Sequence, residues 1–286
     1  TEGDKVTGRM IGDRLAKEGE GNITLTIKKS DSDSGYLVSG RGELQLSVLI
    51  ETMRREGYEL SVSRPKVVMQ NDQNGNILEP IEEVIIDVDD EYTGQIVQDL
   101  NLRKAIMIEM KPFGEGRTRL IFEAPTRGLI GYQSELLTAT SGTAVINRIF
   151  SRYEPFRGEI QGRTNGVLIS NGKGISVAFA LFNLEERGQM IIGSGVSVYQ
   201  GMIIGIHSRP NDLEVNILKG KKLTNIRTHA KDEAVRLVSP LDMNLERAIA
   251  WISDDELIEV TPKSIRIRKR LLDPNQRKKI SREKSN

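Results

Sequence analysis

The sequence contains no cysteine and only two histidines, His207 and His229. Disulfide staples, thiolate metal sites and cysteine nucleophiles are thereby excluded, and a Ser-His-Asp arrangement would have to be built on one of those two rings. Aromatic residues make up 5% of the chain and do not interleave with its basic runs, which argues against recognition by base stacking. No apolar run approaches the ~18 residues that span a bilayer, and the polar start Thr1-Glu2-Gly3-Asp4 has no signal-peptide core. A soluble, cytoplasmic protein with no membrane partner is expected. Nucleotide motifs are missing as well. The nearest approach to a phosphate-cradling P-loop is Asn171-Gly172-Lys173-Gly174, but its leading glycine falls one position off, at Gly166, and Gly174 stands where Ser or Thr should be. A glycine turn between two strands is the better reading. No Asn-Lys-x-Asp guanine-reading motif occurs, so no GTP site, cofactor, metal or catalytic residue is expected in this chain.

What is present is ordinary globular material. The chain has 286 residues, 37% hydrophobic and 28% charged, enough for real cores in two or three domains. The net charge of +1 hides an asymmetry, because 263–286 holds ten Lys/Arg against Asp273 and Glu283, leaving the rest of the chain at −7. A basic tail on a mildly acidic body suits contact with phosphate backbones, whose affinity comes from counterion release. A solvated, frayed terminus is the other reading of the same run. The first residue is not methionine, which fits either a piece of a longer protein or simple Met removal.

Along the chain, one order of elements occurs twice. Thr7 can cap a short helix carrying Met10, Ile11 and Leu15, whose exit near Lys17 is loosened by glycines; 23–27 alternates like a half-buried strand, 30–35 turns, and 36–38 reads as its partner. Leu46, Leu49, Ile50 and Met53 then share a helical face, Gly57 ends that helix, and 58–62 is again strand-like. After the hydrophilic cluster 71–76 come a strand at 84–88, a helix through Ile96, Val97 and Leu100, a hairpin around Gly114 and Gly116, a helix through Leu129, Tyr132 and Leu136, and a strand at 143–149. Strand, helix, two strands, helix, strand is the ferredoxin-like, or split βαβ, pattern. Beyond 155 the texture changes to short apolar runs at 167–169, 175–182, 190–192, 196–199 and 202–206, with one helix capped by Asn244 and strands near 257–260 and 264–267. The expectation is an α+β chain: two tandem ferredoxin-like domains, 1–70 and 77–154, followed by a mostly antiparallel β domain with one helix, 157–286.

Two basic groups could contact RNA. Residues 217–231 hold Lys219, Lys221, Lys222, Arg227 and Lys231 with no acid, among the polar donors Asn225 and His229, and lack a long apolar face, which reads either as an exposed loop reaching phosphates and ribose hydroxyls or as a merely solvated loop. Arg266, Arg268, Lys269 and Arg270 form the second group, on or beyond an edge strand, where positive charge could instead discourage strand pairing. The clusters Asp89-Asp90-Glu91 and Asp254-Asp255-Glu256 read as caps or solvated turns.

The residues also carry a resemblance. Ser39-Gly40-Arg41-Gly42-Glu43-Leu44-Gln45-Leu46, continuing through Arg54-Arg55-Glu56-Gly57-Tyr58 to Arg64-Pro65, resembles domain III of the TypA/BipA translational GTPases, relatives of elongation factor G. Glu123-Ala124-Pro125-Thr126-Arg127-Gly128-Leu129-Ile130-Gly131-Tyr132 is similar to domain V. Gly172-Lys173-Gly174, Ile204-Gly205-Ile206-His207-Ser208-Arg209, Gly220-Lys221-Lys222-Leu223-Thr224-Asn225 and Ser264-Ile265-Arg266-Ile267-Arg268-Lys269-Arg270 resemble the family's C-terminal domain. The resemblance implies a monomeric, ribosome-binding C-terminal half, with the GTPase domain that would hold GTP and Mg preceding Thr1. It further implies contact with ribosomal RNA and tRNA, with 219–231 as the RNA-facing tip, and a link to stress response and ribosome assembly. Two other classes compete: a hydrolase using His207 or His229, and a protein-interaction module docking ribosomal proteins.

Overall fold

The computed structural model describes residues 2–30, 35–220 and 236–285. They form two compact units, Thr1–Arg64 together with Arg163–Asn286, and Pro65–Gly162. The first unit opens with α1 (Gly8–Gly21), β1 (Thr26–Lys29), β2 (Tyr36–Ser39), α2 (Glu43–Arg55) and β3 (Leu60–Ser63). Thr7 caps α1, its Oγ1 accepting from the Met10 amide at 3.3 Å. The helix does not loosen near Lys17 but continues through Gly19, because Ile11 and Leu15 pack with Leu25, Leu49, Met53 and Tyr58. Asn22 then sets a turn, its Oδ1 accepting from the amide and hydroxyl of Thr24 at 3.1 and 2.6 Å. That turn leaves Ile23 99% exposed and moves the start of the strand expected at 23–27 to Thr26. β1 and β2 pair as an antiparallel hairpin whose expected turn lies, at 31–34, outside the described residues. The element order is the one the sequence predicts, but β3 does not pair with this hairpin.

The second unit contains β4 (Gln70–Asn71), β5 (Ile77–Asp89), α3 (Thr93–Leu102), β6 (Ile106–Pro112), β7 (Arg117–Pro125), α4 (Tyr132–Ala139) and β8 (Val145–Pro155). Its sheet runs β8-β5-β7-β6, all antiparallel, with β4 added at the start of β5. This is the split βαβ arrangement the pattern predicts. Val84, Ile86, Val88, Leu120 and Phe122 point from the sheet onto Ile96, Leu100, Leu129, Tyr132 and Leu136. The motif around Arg127 is structural here. Glu79 is fully buried on β5; the Arg127 Nε donates to it at 2.5 Å, the Arg157 amide at 2.6 Å, and the guanidinium lies 4.3 Å from the Phe156 ring. Gly131, at φ +74°, makes the left-handed entry into α4 that a side chain would strain.

The chain then completes the first unit with β9 (Val167–Ser170), β10 (Gly174–Ile175), α5 (Ala178–Glu185), β11 (Gly188–Met190), β12 (Ser197–Val198), β13 (Met202–His207), β14 (Leu213–Val215), α6 (Leu245–Trp251), β15 (Glu256–Val260), β16 (Ile265–Lys269) and α7 (Pro274–Ser285). The main sheet runs β14-β9-β13-β16-β15-β3, with β11 also on β13. β3 from the first segment pairs with β15, from Leu257↔Ser63 to Val260↔Leu60. β9–β14 is parallel, the exception in an otherwise antiparallel sheet. Both faces are covered, which is why Val167-Leu168-Ile169 reads as a continuous apolar run. Val167, Ile169, Ile203, Ile258 and Ile267 pack on Ile249 of α6 and on Leu60 and Val62, while Leu168, Met202 and Ile204 pack on Leu181 of α5. Asn244 caps α6 as expected, accepting from the Arg247 amide at 2.9 Å.

Two corrections concern helices. The apolar run 175–182 is a strand only at β10; it turns at Ser176, whose Oγ accepts from the Val196 amide at 3.0 Å and donates to the Gly193 carbonyl at 2.8 Å, and continues as α5. A short buried apolar run has no periodicity to separate strand from helix, and Ala178, Ala180 and Leu181 favour the latter. With α5 and α7, the C-terminal region has more than the one helix expected. Gly188 tests the sheet packing: a Cβ there would lie 1.9 Å from the Ile206 carbonyl oxygen, a backbone atom of β13. Gly188→Ala is expected to lower stability by ~1–3 kcal/mol, the range for overpacking, measured by urea unfolding; a change below about 0.5 kcal/mol would show that β11 does not hold against β13 in solution.

Candidate nucleic-acid interface

Of the residues that sequence reasoning put forward, Lys219 is described and exposed at the end of the stretch following β14, whereas Lys221, Lys222, Asn225, Arg227, His229 and Lys231 lie outside the described residues. The root of that stretch is firmly built. Asn171 donates its amide to the Val215 carbonyl and Val177 donates to that of Ile217, each at 3.0 Å. The Gly172-Lys173-Gly174 turn lies against Leu218, close enough that a Cβ on Gly174 would come within 2.8 Å of its side chain. Lys173 is exposed on this turn, beside the contact that Lys219 follows. Sequence reasoning saw the turn as a failed P-loop and did not count its lysine; the signal was a lone cation between two glycines, which alone points nowhere.

The second group divides sharply. On β16, Arg266 pairs with Glu2, and the Arg268 Nε lies 2.7 Å from Glu259, both half-buried. Arg270 is exposed, held through its amide by the Asp255 carbonyl at 2.8 Å. Lys269 departs from the expectation of an RNA ligand: only 2% exposed, it is an internal ion-pair partner. Its Nζ lies 2.7 Å from Asp212, 2.8 Å from Asp255 and 3.0 Å from Glu256, one carboxylate for each of its three protons. Glu256, fully buried and opposite Lys269 in the β15–β16 register, also takes both terminal nitrogens of Arg163 at 2.8 and 3.0 Å and the Ser253 amide at 2.9 Å. Arg163 stacks 4.1 Å from the Trp251 ring. Sequence reasoning took Asp254-Asp255-Glu256 for a solvated turn and missed this cluster. The alternation was the available signal: Glu256 shares its face with Ile258 and Val260, and Lys269 with Ile265 and Ile267.

His207, which a hydrolase would use, is 5% exposed and donates Nδ1–H to the Asn211 carbonyl at 2.5 Å, which closes a loop between β13 and β14. His229 lies outside the described residues. Among the described residues put forward for contact, Lys219 and Arg270 are exposed, as is Lys173 on the turn, whereas Arg266, Arg268 and Lys269 stand in ion pairs.

A model described as TypA/BipA C-terminal domain matches residues 165–274, and one described as elongation factor G C-terminus matches residues 76–164. Large ribosomal subunit assembly factor BipA of Salmonella typhimurium and that of Escherichia coli K12 are each 54% identical over 282 residues, covering 98% of this chain and 46% of the relative. The protein of that name in Haemophilus influenzae is 52% identical over the same extent. The chain belongs to the TypA/BipA family. It spans about half the length of the curated relatives it matches. Among the described residues, no helix is long and apolar enough to cross a membrane. Within this TypA/BipA chain, the elongation factor G match falls on the second unit, and the family-specific match on the part that carries the free cations.

The buried cluster has a defined pH response. Burial alone would raise the Glu256 carboxyl, but the hydrogen bonds of Arg163 and the charge of Lys269 outweigh it and hold the group below its ordinary value of 4.5. Burial alone would lower Lys269, but the charge of Glu256 and the bonds to Asp212 and Asp255 hold it above 10.5. A lowered carboxyl stabilises the fold above its unfolded value and loses that contribution as pH falls through the folded one; a raised ammonium stabilises below its unfolded value and loses it as pH rises through the folded one. Stability from this pair is thus flat between pH 4.5 and 10.5 and falls on either side. Glu256→Gln is expected to cost ~3–5 kcal/mol at pH 7 and to flatten the acid side of the profile. Urea unfolding at pH 7, 5 and 3 measures both, and an acid slope as steep as in the unsubstituted chain would assign that titration to other carboxylates.

Proposed function

We propose that this chain is the ribosome-binding C-terminal half of a TypA/BipA translational GTPase that acts in assembly of the large ribosomal subunit. The observation that carries the reading is the 54% identity, over 98% of the chain, to proteins named large ribosomal subunit assembly factor. In this reading the chain is cytoplasmic and monomeric, has no catalytic role of its own, and leaves GTP and Mg to a preceding domain. Its RNA contacts, to ribosomal RNA and tRNA, come from Lys219, Lys221, Lys222, Asn225, Arg227, His229 and Lys231, with Arg270 and Lys173 added from the exposed surface and with Lys269, Arg266 and Arg268 withdrawn to structural pairs. A link to stress response follows the family resemblance. What supports an RNA-facing role for 217–231 is composition, five cations and no acid, on a stretch whose start at Ile217 and Leu218 is packed into the core beside β14.

A second reading, docking of ribosomal proteins, has its own observation. Ile106, Ile108 and Ile149 on the second unit are 52%, 57% and 62% exposed, in strands of its sheet. Co-sedimentation with bacterial ribosomes across a salt series separates the two. For RNA contact, Lys221→Glu with Lys222→Glu is expected to weaken binding at least tenfold and to reduce the slope of log K against log salt by roughly 0.7 or more per lost phosphate contact. Binding that is unchanged by this pair but lost in Ile106→Asp with Ile149→Asp would replace the RNA reading with protein docking.

A further inference from the structure

The ten cations of 263–286 are not one population: Lys263 precedes β16, four belong to the β16 group, and five lie on α7. The helix is deliberately started. Asp273 Oδ1 accepts from the Asn275 amide at 2.9 Å, its carbonyl accepts from the Arg277 amide at 3.2 Å, and Pro274 occupies the first helical position. Arg277 fastens the helix to the sheet: its guanidinium donates to the carbonyls of Leu271 and, at 2.8 Å, Leu272, and pairs with Glu214 on β14. Asn275, Lys278, Lys279 and Arg282 recur at i, i+3, i+4 and i+7, so they line another face, and all four are exposed. None of the described side chains of α7 is buried. Ile280 is its one large apolar residue and is 40% exposed, while Lys278 and Arg282 repel each other one turn apart.

We infer that the Asn275, Lys278, Lys279 and Arg282 stripe of α7 is a second phosphate-backbone contact for RNA, separate from 217–231. The inference rests on the RNA-binding reading above and extends it to a part of the chain that reading does not use. Three cations and an amide over two turns, roughly 10 Å of helix, offer donors to successive phosphates of one strand. Like charges on one face are tolerated where an anionic partner neutralises them. A membrane surface is the poorer partner, because interfacial helices insert an apolar face and α7 has none. Arg277 orients the stripe without facing the ligand.

The test uses the 286-residue chain, purified bacterial large ribosomal subunits and a KCl series. Lys278→Glu, Lys279→Glu and Arg282→Glu are introduced together, beside the Lys221→Glu, Lys222→Glu variant. The helix variant is expected to bind at least tenfold more weakly, with the log K against log salt slope reduced by about two, at ~0.7 per phosphate, and with an unchanged urea midpoint since these side chains touch no core. Arg277→Gln, which keeps the stripe but frees the helix, is expected to weaken binding with a smaller change in slope. If the helix variant binds as the unsubstituted chain does while the 221/222 variant fails, the proposal falls and RNA binding through the loop stands. If neither variant loses affinity, both fall. Equal capture of the unsubstituted chain by phosphatidylserine vesicles, lost in the helix variant, would assign the stripe to a membrane instead.

Discussion

The cluster joining Arg163, Asp212, Asp255, Glu256 and Lys269 is the constraint on which the C-terminal architecture turns. A buried carboxylate and a buried ammonium are each costly, and they become tolerable only when every proton and lone pair is used. Here they are: Lys269 divides its three protons among three carboxylates, and Glu256 is bracketed by Arg163, Lys269 and the Ser253 amide. Asp212 in turn accepts the amide of Val167 at 2.9 Å, so the start of β9, the loop before β14 and the paired strands β15 and β16 meet at one point. A slip of β15 against β16 by one residue would turn Glu256 and Lys269 out of this meeting and bury their neighbours unpaired. The register is therefore fixed by charge at one end and by Ile258, Val260 and Ile267 along its length.

Fixing β15 has a consequence for the other end of the chain. Its free edge receives β3, and Leu60 and Val62 enter the core beneath α6. Leu60 also touches the small cluster formed by α1, α2 and the hairpin, so the N-terminal segment is sealed at both sides of one strand. Arg54 adds to the seal by donating to the Thr261 carbonyl at 2.9 Å. Residues separated by some two hundred positions thus share one sheet, which explains why the first segment falls in one compact unit with the last.

How much of this could be read beforehand varies with the kind of signal. The second unit was legible because its strands alternate, its helices carry full apolar faces and its turns hold glycine at Gly114 and Gly116, so local pattern and tertiary structure agree. The element order of the first segment was legible for the same reason. Its pairing was not, since 58–62 says that a strand exists but not which edge it meets. Residues 175–182 misled because a short apolar run buried on all sides has no period. α7 was hidden by weighing charge alone; Asp273-Pro274 is a start signal whose force is local and independent of charge. At the candidate site, the 217–231 run could be recognised by composition, whereas Arg266, Arg268 and Lys269 could not be told from free cations without knowing that Glu2, Glu259 and Glu256 stand opposite them.

That last distinction decides what the basic half of the chain can offer a ligand. A cation already paired at 3 Å in a half-buried site has released its own counterions to a carboxylate, and little further gain follows from approaching a phosphate. Affinity by counterion release comes from cations that stand in solvent until the ligand arrives. On β16 the pairs with Glu2 and Glu259 and the buried Lys269 cluster leave Arg270 as the exposed cation of that group. Among the described residues, further exposed cations stand at the Lys173 turn, at Lys219 and on the outer face of α7. The internal pairs build a rigid sheet and the free cations sit on its appendages, so the two uses of charge are separated in space. Substitutions in the first set then register as lost stability, and substitutions in the second as lost salt dependence with the fold intact.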